Sequence, residues 1–327
     1  MRGLEALQDF RRRILSPDMD IPTIQPSSLK LGDTISIVAP ASPIEQRDGL
    51  ERGIATLEKM GFRVQFDERI FQSSRYLAGN DSSRAEELMR VFEDPSVKAI
   101  IALRGGYGCA RLIPLLMERR LRHNPKIFMG FSDLTTLHLF FLRRFGWITI
   151  HGPMATSPAL GNISADQEKH LVSLLTDPNY RPTLSFPQLE TLAPGEAEGV
   201  LTGGCLSMIA ASIGTAYEIK TEGRILFIED QGEPPYRIDR MLTHLHLANK
   251  LQRLAGLLLG RFRDCEPTRG NYTAMDTLRE ILLKLKVPAI ANFPAGHGEV
   301  NWAIPLGIKV QINADTPTIS FLDSAVK

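Results

Sequence analysis

Two hydrophobic periods alternate along the first half of the chain. Residues 34–39, TISIVA, form a short β-branched run closed by Pro40 and Pro43, and the spacing from Asp48 to about Met60 predicts a helix after it. FRVQF at 62–66 predicts a second strand, SSRAEELMRVFED at 82–94 a capped amphipathic helix, and VKAIIAL at 97–103 a third strand. The same alternation continues through helical RLIPLLMERR, strand KIFMG, helical LTTLHLFFLRRFG and strand WITIHG, to about residue 152. Regular β-α alternation of this kind implies a parallel sheet covered on both faces.

Residues 177–198, DPNYRPTLSFPQLETLAPGEAE, break the pattern with proline and polar residues and are read as a linker. Beyond it, RILFIED, LAGLLLG, PAIANFPA, IKVQIN and TISFL are strand-like, and YRIDRMLTHLHLANK and MDTLREILLKLK are helical. The expected organisation is an extension at 1–30, a wound parallel α/β domain at 31–176, the linker, and a smaller mixed α/β domain at 199–327. An active site is expected in the cleft between the two domains, at the carboxyl ends of the first domain's strands.

A length of 327 residues suits two such domains. Thirty-eight basic against 37 acidic residues leave a net charge of +1, which removes the electrostatic case for nucleic-acid binding and points to a small partner. No apolar run approaches the ~20 residues that span a bilayer, and the amino end has no uninterrupted apolar stretch of the secretory type, so a cytoplasmic location is expected. Cys109, Cys205 and Cys265 are too few and too scattered for a disulfide framework or a zinc site. His244 and His246, two apart on a helix, face different sides. Neither metal nor cofactor is expected.

The candidate chemistry centres on KIFMGFSDLTTLH at 126–138, which reads as strand, glycine-tight turn and helix with Ser132 at the corner. A helix start aims free N–H groups and the positive end of its dipole at whatever that serine holds, which suits a nucleophile; a plain helix cap is the simpler use of the same residue. A serine nucleophile needs a base, a group to orient the base, and donors for an oxyanion. His297, in AGHGE between two glycines, has the most site-like setting of the seven histidines, with His151 in HGPM as the competitor. Glu229 and Asp230 end the apolar strand RILFI and point to opposite sides, so strand alternation leaves the acid open between them. LRGGYG at 103–108 lacks the third glycine of a dinucleotide fingerprint and the Gly-Lys-Ser/Thr of a phosphate loop, and fits an oxyanion loop better. The amide of Asp133, next after the serine, would be the second donor.

These segments together resemble the LD-carboxypeptidase family of serine peptidases, which includes muramoyltetrapeptide carboxypeptidases and the microcin C self-immunity proteins. The resemblance runs through GDTISIVAPASP, YLAGNDSSRAEEL, ALRGGYGCARLIPLL, PKIFMGFSDLTTLH, HGPM, LFIEDQGEPPYRIDRML and AGHGEVNWAIPLG, in the family's order. It implies Ser132 as nucleophile, Glu229 rather than Asp230 as the acid, His297 as base, the amides of Gly106 and Asp133 as the oxyanion hole, and a homodimer. One departure is Cys205 in TGGCLSM, where many relatives have asparagine. The resemblance makes a murein tetrapeptide the expected partner, with release of its terminal D-alanine. Arg104, beside the glycine loop, would hold the terminal carboxylate, with Tyr107 next to it as a further contact. The alternative is hydrolysis of a peptidyl or aminoacyl nucleotide, for which Trp302 is the available stacking surface. A non-catalytic peptide-binding protein on the same scaffold is the rival from another class.

Overall fold

The computed structural model describes residues 21–267 and 269–327. The predicted alternation becomes a sheet of β1 (Thr34–Val38), β2 (Arg63–Phe66), β3 (Val97–Ala102), β4 (Ile127–Gly130) and β5 (Thr149–His151), all parallel and ordered β5-β4-β3-β1-β2. Helices Asp48–Lys59, Asp81–Glu93 and Thr135–Phe145 cross between these strands. Asn80 starts the second of these helices by accepting from Ser83 N at 2.8 Å. The stretch read as one helix from Arg111 is cut at Pro114 into the pieces Cys109–Leu112, Ile113–Leu115 and Glu118–Leu121, because proline supplies no amide hydrogen to continue the ladder.

The second sheet contains β6 (Thr183–Leu184), β7 (Glu190–Ala193), β8 (Glu196–Cys205), β9 (Arg224–Gln231), β10 (Gly256–Arg263), β11 (Ala289–Ala291), β13 (Lys309–Asn313) and β14 (Thr318–Phe321). Its centre, β8-β9-β10-β11, is parallel and its flanks are antiparallel. Two expectations are corrected here. The stretch 177–198 is no linker, since β6, β7 and the start of β8 lie in it; its polar composition fits edge strands, which keep one side in water. The chain also does not stay in its second half. β12 (Ile304–Leu306) returns to pair antiparallel with β5, so the first sheet gains a sixth strand from the far end of the sequence.

That return ties the two halves into one body. A single apolar cluster contains Ile35 and Ile101 from the first sheet, Phe227 and Ile290 from the second, and Ile304 from the returning strand. At the seam the Thr135 hydroxyl accepts from Cys205 N at 3.0 Å, joining the helix after Ser132 to the end of β8. Residues 21–30 of the expected extension also belong to this body, with Leu29 buried and Ser28 N bonded to Lys327 O; residues 1–20 lie outside the described residues.

Candidate functional site

The strand order β4-β3-β1-β2 places the loops after β1 and β3 on either side of the point where the winding reverses, and a crevice is expected outside the carboxyl ends of such strands. Ser132 stands at the end of β4 with φ +64°, a left-handed conformation that a non-glycine residue adopts at a cost of about 1–3 kcal/mol. It opens a short 3₁₀ turn, Ser132–Leu134, that leads into helix Thr135–Phe145. Phe131 and Leu134 hold the N-cap positions of the turn and the helix, and among the described residues the Ser132 side chain has no hydrogen bond, so the serine does not act as a plain cap. The sharp turn instead leaves the hydroxyl half-buried at the helix start, where the first N–H groups have no intrahelical acceptor.

Glu229 is fully buried near the end of β9, and its Oε2 accepts from His297 Nδ1 at 2.7 Å and from His297 N at 3.0 Å. A carboxylate only accepts, so Nδ1 carries the hydrogen and Nε2 is left with its lone pair for a proton. Burial alone would lower the His297 pKa, but the Glu229 hydrogen bond and charge, with Asp230 adding, outweigh burial and the opposing Arg263 and raise it. Asp230 points the other way. It accepts from Ser207 N at 2.7 Å and from Gln231 N at 2.8 Å, anchoring helix Leu206–Ser212, while burial and then the Glu229 charge push its carboxyl up to about 6. The Cys205 sulfur lies 3.4 Å from Asp230 Oδ1, on this anchoring side.

His297 reaches the nucleophile's neighbourhood because the segment after β11 crosses from one sheet to the other on its way to β12. Gly296 N donates to Asn301 Oδ1 at 3.0 Å and Trp302 N to Pro294 O at 2.8 Å, which closes this segment into a compact loop. The His297 ring then sits edge-on to Phe131, the residue before Ser132, with centroids 4.9 Å apart. Among the described residues no hydrogen bond joins Ser132 to His297 directly; such bonds are commonly long in unliganded sites and close around substrate. His151, the competitor, is fully buried between Phe131 and Phe227. Burial, then the charges of His138 and His297, hold its pKa well below the usual value, so it stays neutral and out of solvent.

The glycine loop after β3 lies against Ser132. A Cβ on Gly105 would stand 3.0 Å from Ser132 Oγ, and one on Gly106, at φ +106°, would collide with Ser42 Oγ. Arg104 Nη1 donates to Pro43 O at 3.1 Å, and Tyr107 is 45% exposed with its ring edge-to-face on Tyr76 at 5.7 Å. The Trp302 ring is half-buried and packs against His170 and Phe186, with centroids at 5.0 and 4.7 Å, beside the core.

A cleft of about 740 Å³ borders His297 and is lined by Arg261, Arg263, Glu266, Met275, Asn292 and Glu299, among others. Of Ser132, Glu229 and His297, only His297 lines it. Arg261 and Arg263 were missed from the sequence. Their signal was position: they follow the apolar run LLLG, where β10 emerges from the sheet at its carboxyl end.

Residues 35–152 match the LD-carboxypeptidase N-terminal domain, and residues 198–312 the LD-carboxypeptidase C-terminal domain. A protein of Bacillus subtilis (strain 168) described as "Probable murein peptide carboxypeptidase" is 35% identical over 297 residues, covering 90% of this chain and 93% of its own. Among solved structures, MccF in complex with glutamyl sulfamoyl guanosine has a TM-score of 0.87 at 23% identity, covering 93% of this chain and 99% of the other. The microcin C7 self-immunity protein MccF with aspartyl sulfamoyl adenosine also has a TM-score of 0.87 at 23% identity, covering 93% and 100%. In these two solved structures the bound ligand is an aminoacyl group joined to a nucleoside, not the simple murein tetrapeptide expected as partner.

Proposed function

Since the chain belongs to the LD-carboxypeptidase family, whose members are serine-type hydrolases of peptide or peptidyl-nucleotide bonds, we propose that it hydrolyses the amide joining an aminoacyl or peptidyl group to a nucleotide-like leaving group. Ser132 Oγ attacks the acyl carbonyl as His297 Nε2 takes its proton, and the amides of Gly106 and Asp133 hold the developing oxyanion. His297 then passes the proton to the leaving nitrogen, and water repeats the sequence to free the acid and restore the serine. Glu229 fixes the imidazole's tautomer and stabilises its charged form.

The observation that carries the substrate class is the position of the cleft. A general acid delivers its proton to the leaving group, so the leaving group passes beside His297, and the 740 Å³ cleft opens at that histidine. Its volume lies within the range of small-molecule and cofactor sites. The lining carries Arg261 and Arg263 together with Asp264, Glu266 and Glu299, and the two guanidinium groups are the ones suited to a phosphoryl or sulfamoyl linkage. The solved complexes of similar fold support the same class of ligand.

The test is to incubate the purified protein with aspartyl or glutamyl sulfamoyl adenosine and, separately, with a murein tetrapeptide. Release of the amino acid from the nucleoside, absent in Ser132→Ala, is the expected result. Cleavage of the tetrapeptide with the nucleoside conjugates left intact would refute the substrate class.

A further inference from the structure

The glycine loop at 104–108 is held by bonds that none of the reacting groups requires. On one side stands Ser42, just after β1: its N donates to Gly105 O at 3.2 Å, and its Oγ accepts from Tyr107 N at 3.1 Å. The Ser42 side chain therefore brackets Gly106, and occupies the space a Cβ on Gly106 would need. On the other side lies Arg84, from helix Asp81–Glu93, a buried guanidinium of the kind seldom found without a specific use. Its Nη1 donates to Gly108 O at 3.2 Å and to Pro40 O, so one nitrogen ties the end of the glycine loop to the segment carrying Ser42. Its Nη2 is held by Asp81 at 2.5 Å, and Asp81 also takes Arg111, within the short helix Cys109–Leu112 that follows the loop. The loop's exit is fixed a third time, where Cys109 N donates to Asp133 Oδ2 at 2.8 Å.

From this geometry we infer that Arg84 and Ser42 are positioning residues for the oxyanion hole: together they hold the peptide of Gly106 at a fixed orientation beside Ser132. The inference rests on the reading of Ser132 as nucleophile and Gly106 N–H as oxyanion donor. The physical need is plain. An amide on a glycine-rich loop would otherwise sample many directions, and a donor helps the transition state only when it is already aimed at the developing charge. The Ser42 amide holds the Gly105–Gly106 peptide and its hydroxyl the Gly106–Tyr107 peptide, so loss of the hydroxyl frees the second peptide and, through the Gly106 Cα that the two share, loosens the first. Arg84 acts one step further out, keeping the Pro40 and Gly108 backbones at a set separation. A misplacement of about 1 Å in such a site can cost a hundredfold in rate.

An alkyl fluorophosphonate tests this independently of the substrate. Ser132 Oγ bonds to phosphorus, the P–F bond breaks, fluoride leaves and the serine proton passes to His297, while the phosphoryl oxygen occupies the oxyanion hole. Labelling rates would be compared for the wild type, Ser42→Ala, Arg84→Lys and Ser132→Ala, each with its melting temperature. The wild type should label and Ser132→Ala should not. Ser42→Ala removes only a hydroxyl and should fold normally yet label at least about tenfold more slowly; Arg84→Lys keeps the charge but loses the forked geometry and should fall by about 10- to 100-fold. In substrate kinetics the loss should appear in kcat with KM little changed. Folded Ser42→Ala labelling at the wild-type rate would overturn the inference even if Arg84→Lys failed to fold. Failure of the wild type itself to label would remove the nucleophile reading beneath it.

Discussion

Replacing Glu229 by glutamine tests the geometry most sharply, because one atom of the carboxylate, Oε2, serves both the ring and the backbone of His297. The substitution preserves volume and can leave an amide oxygen facing both donors, so the fold should survive. The charge is lost. When His297 takes the serine's proton it becomes cationic beside a fully buried carboxylate, and two unit charges about 4 Å apart interact by about 4 kcal/mol at an effective dielectric of about 20. At about 1.4 kcal/mol per tenfold, turnover should fall by about a thousandfold. The loss should carry a second signature. With Glu229 neutral, the burial that lowers the His297 pKa is no longer outweighed, so the acid limb of the pH–rate profile should move to lower pH as the plateau drops. Asp230→Asn keeps an acceptor for Ser207 N and does not touch the imidazole, so most of the turnover should remain. Hydrolysis and fluorophosphonate labelling of both variants, measured between about pH 5 and pH 9, would decide it. Near-normal rates in Glu229→Gln, or crippling by Asp230→Asn, would refute the assignment.

Three further outcomes follow from the same contacts. In the wild type, kcat/KM should rise with pH through a midpoint above the usual histidine value of about 6.5, since His297 must be neutral to accept a proton and its pKa is raised; the stability its ion pair contributes runs oppositely, fully present below about 6.5 and lost as pH rises through the raised value, which thermal melts across that range can check. Ser132→Ala should abolish hydrolysis, and Ser132→Gly should do so while gaining about 1 kcal/mol in denaturant melts, because glycine relieves the left-handed φ of +64°. Gly106→Ala should lower kcat at least about tenfold with a melting temperature reduced by a few degrees, since its Cβ meets Ser42 in a backbone conformation that L-residues rarely adopt.

Much of this protein was determined by local pattern. The β-α alternation from Thr34 to His151 follows from runs of Ile, Val and Ala separated by amphipathic stretches, and such units bury their apolar faces only around a parallel sheet. The turn at Ser132 was legible for the same reason, since an apolar strand, Gly130 and a helical run leave the chain little choice but to reverse there. His297 stood out by its glycine neighbours. Tertiary structure decided what local pattern leaves degenerate. Alternation places Glu229 and Asp230 on opposite sides of β9 without saying which side carries His297; that depends on where the loop from β11 to β12 crosses. Composition marked 177–198 as polar but could not distinguish a linker from edge strands, because an edge is polar when one side meets water. Trp302 is five residues from His297 in sequence, yet its half-buried ring packs beside the core against His170 and Phe186, a placement that only contacts between distant segments decide. The clamp of Arg84, Ser42 and Asp133 on the glycine loop joins residues from separate strands and helices, and contacts between distant segments form only when the sheet brings its carboxyl ends together.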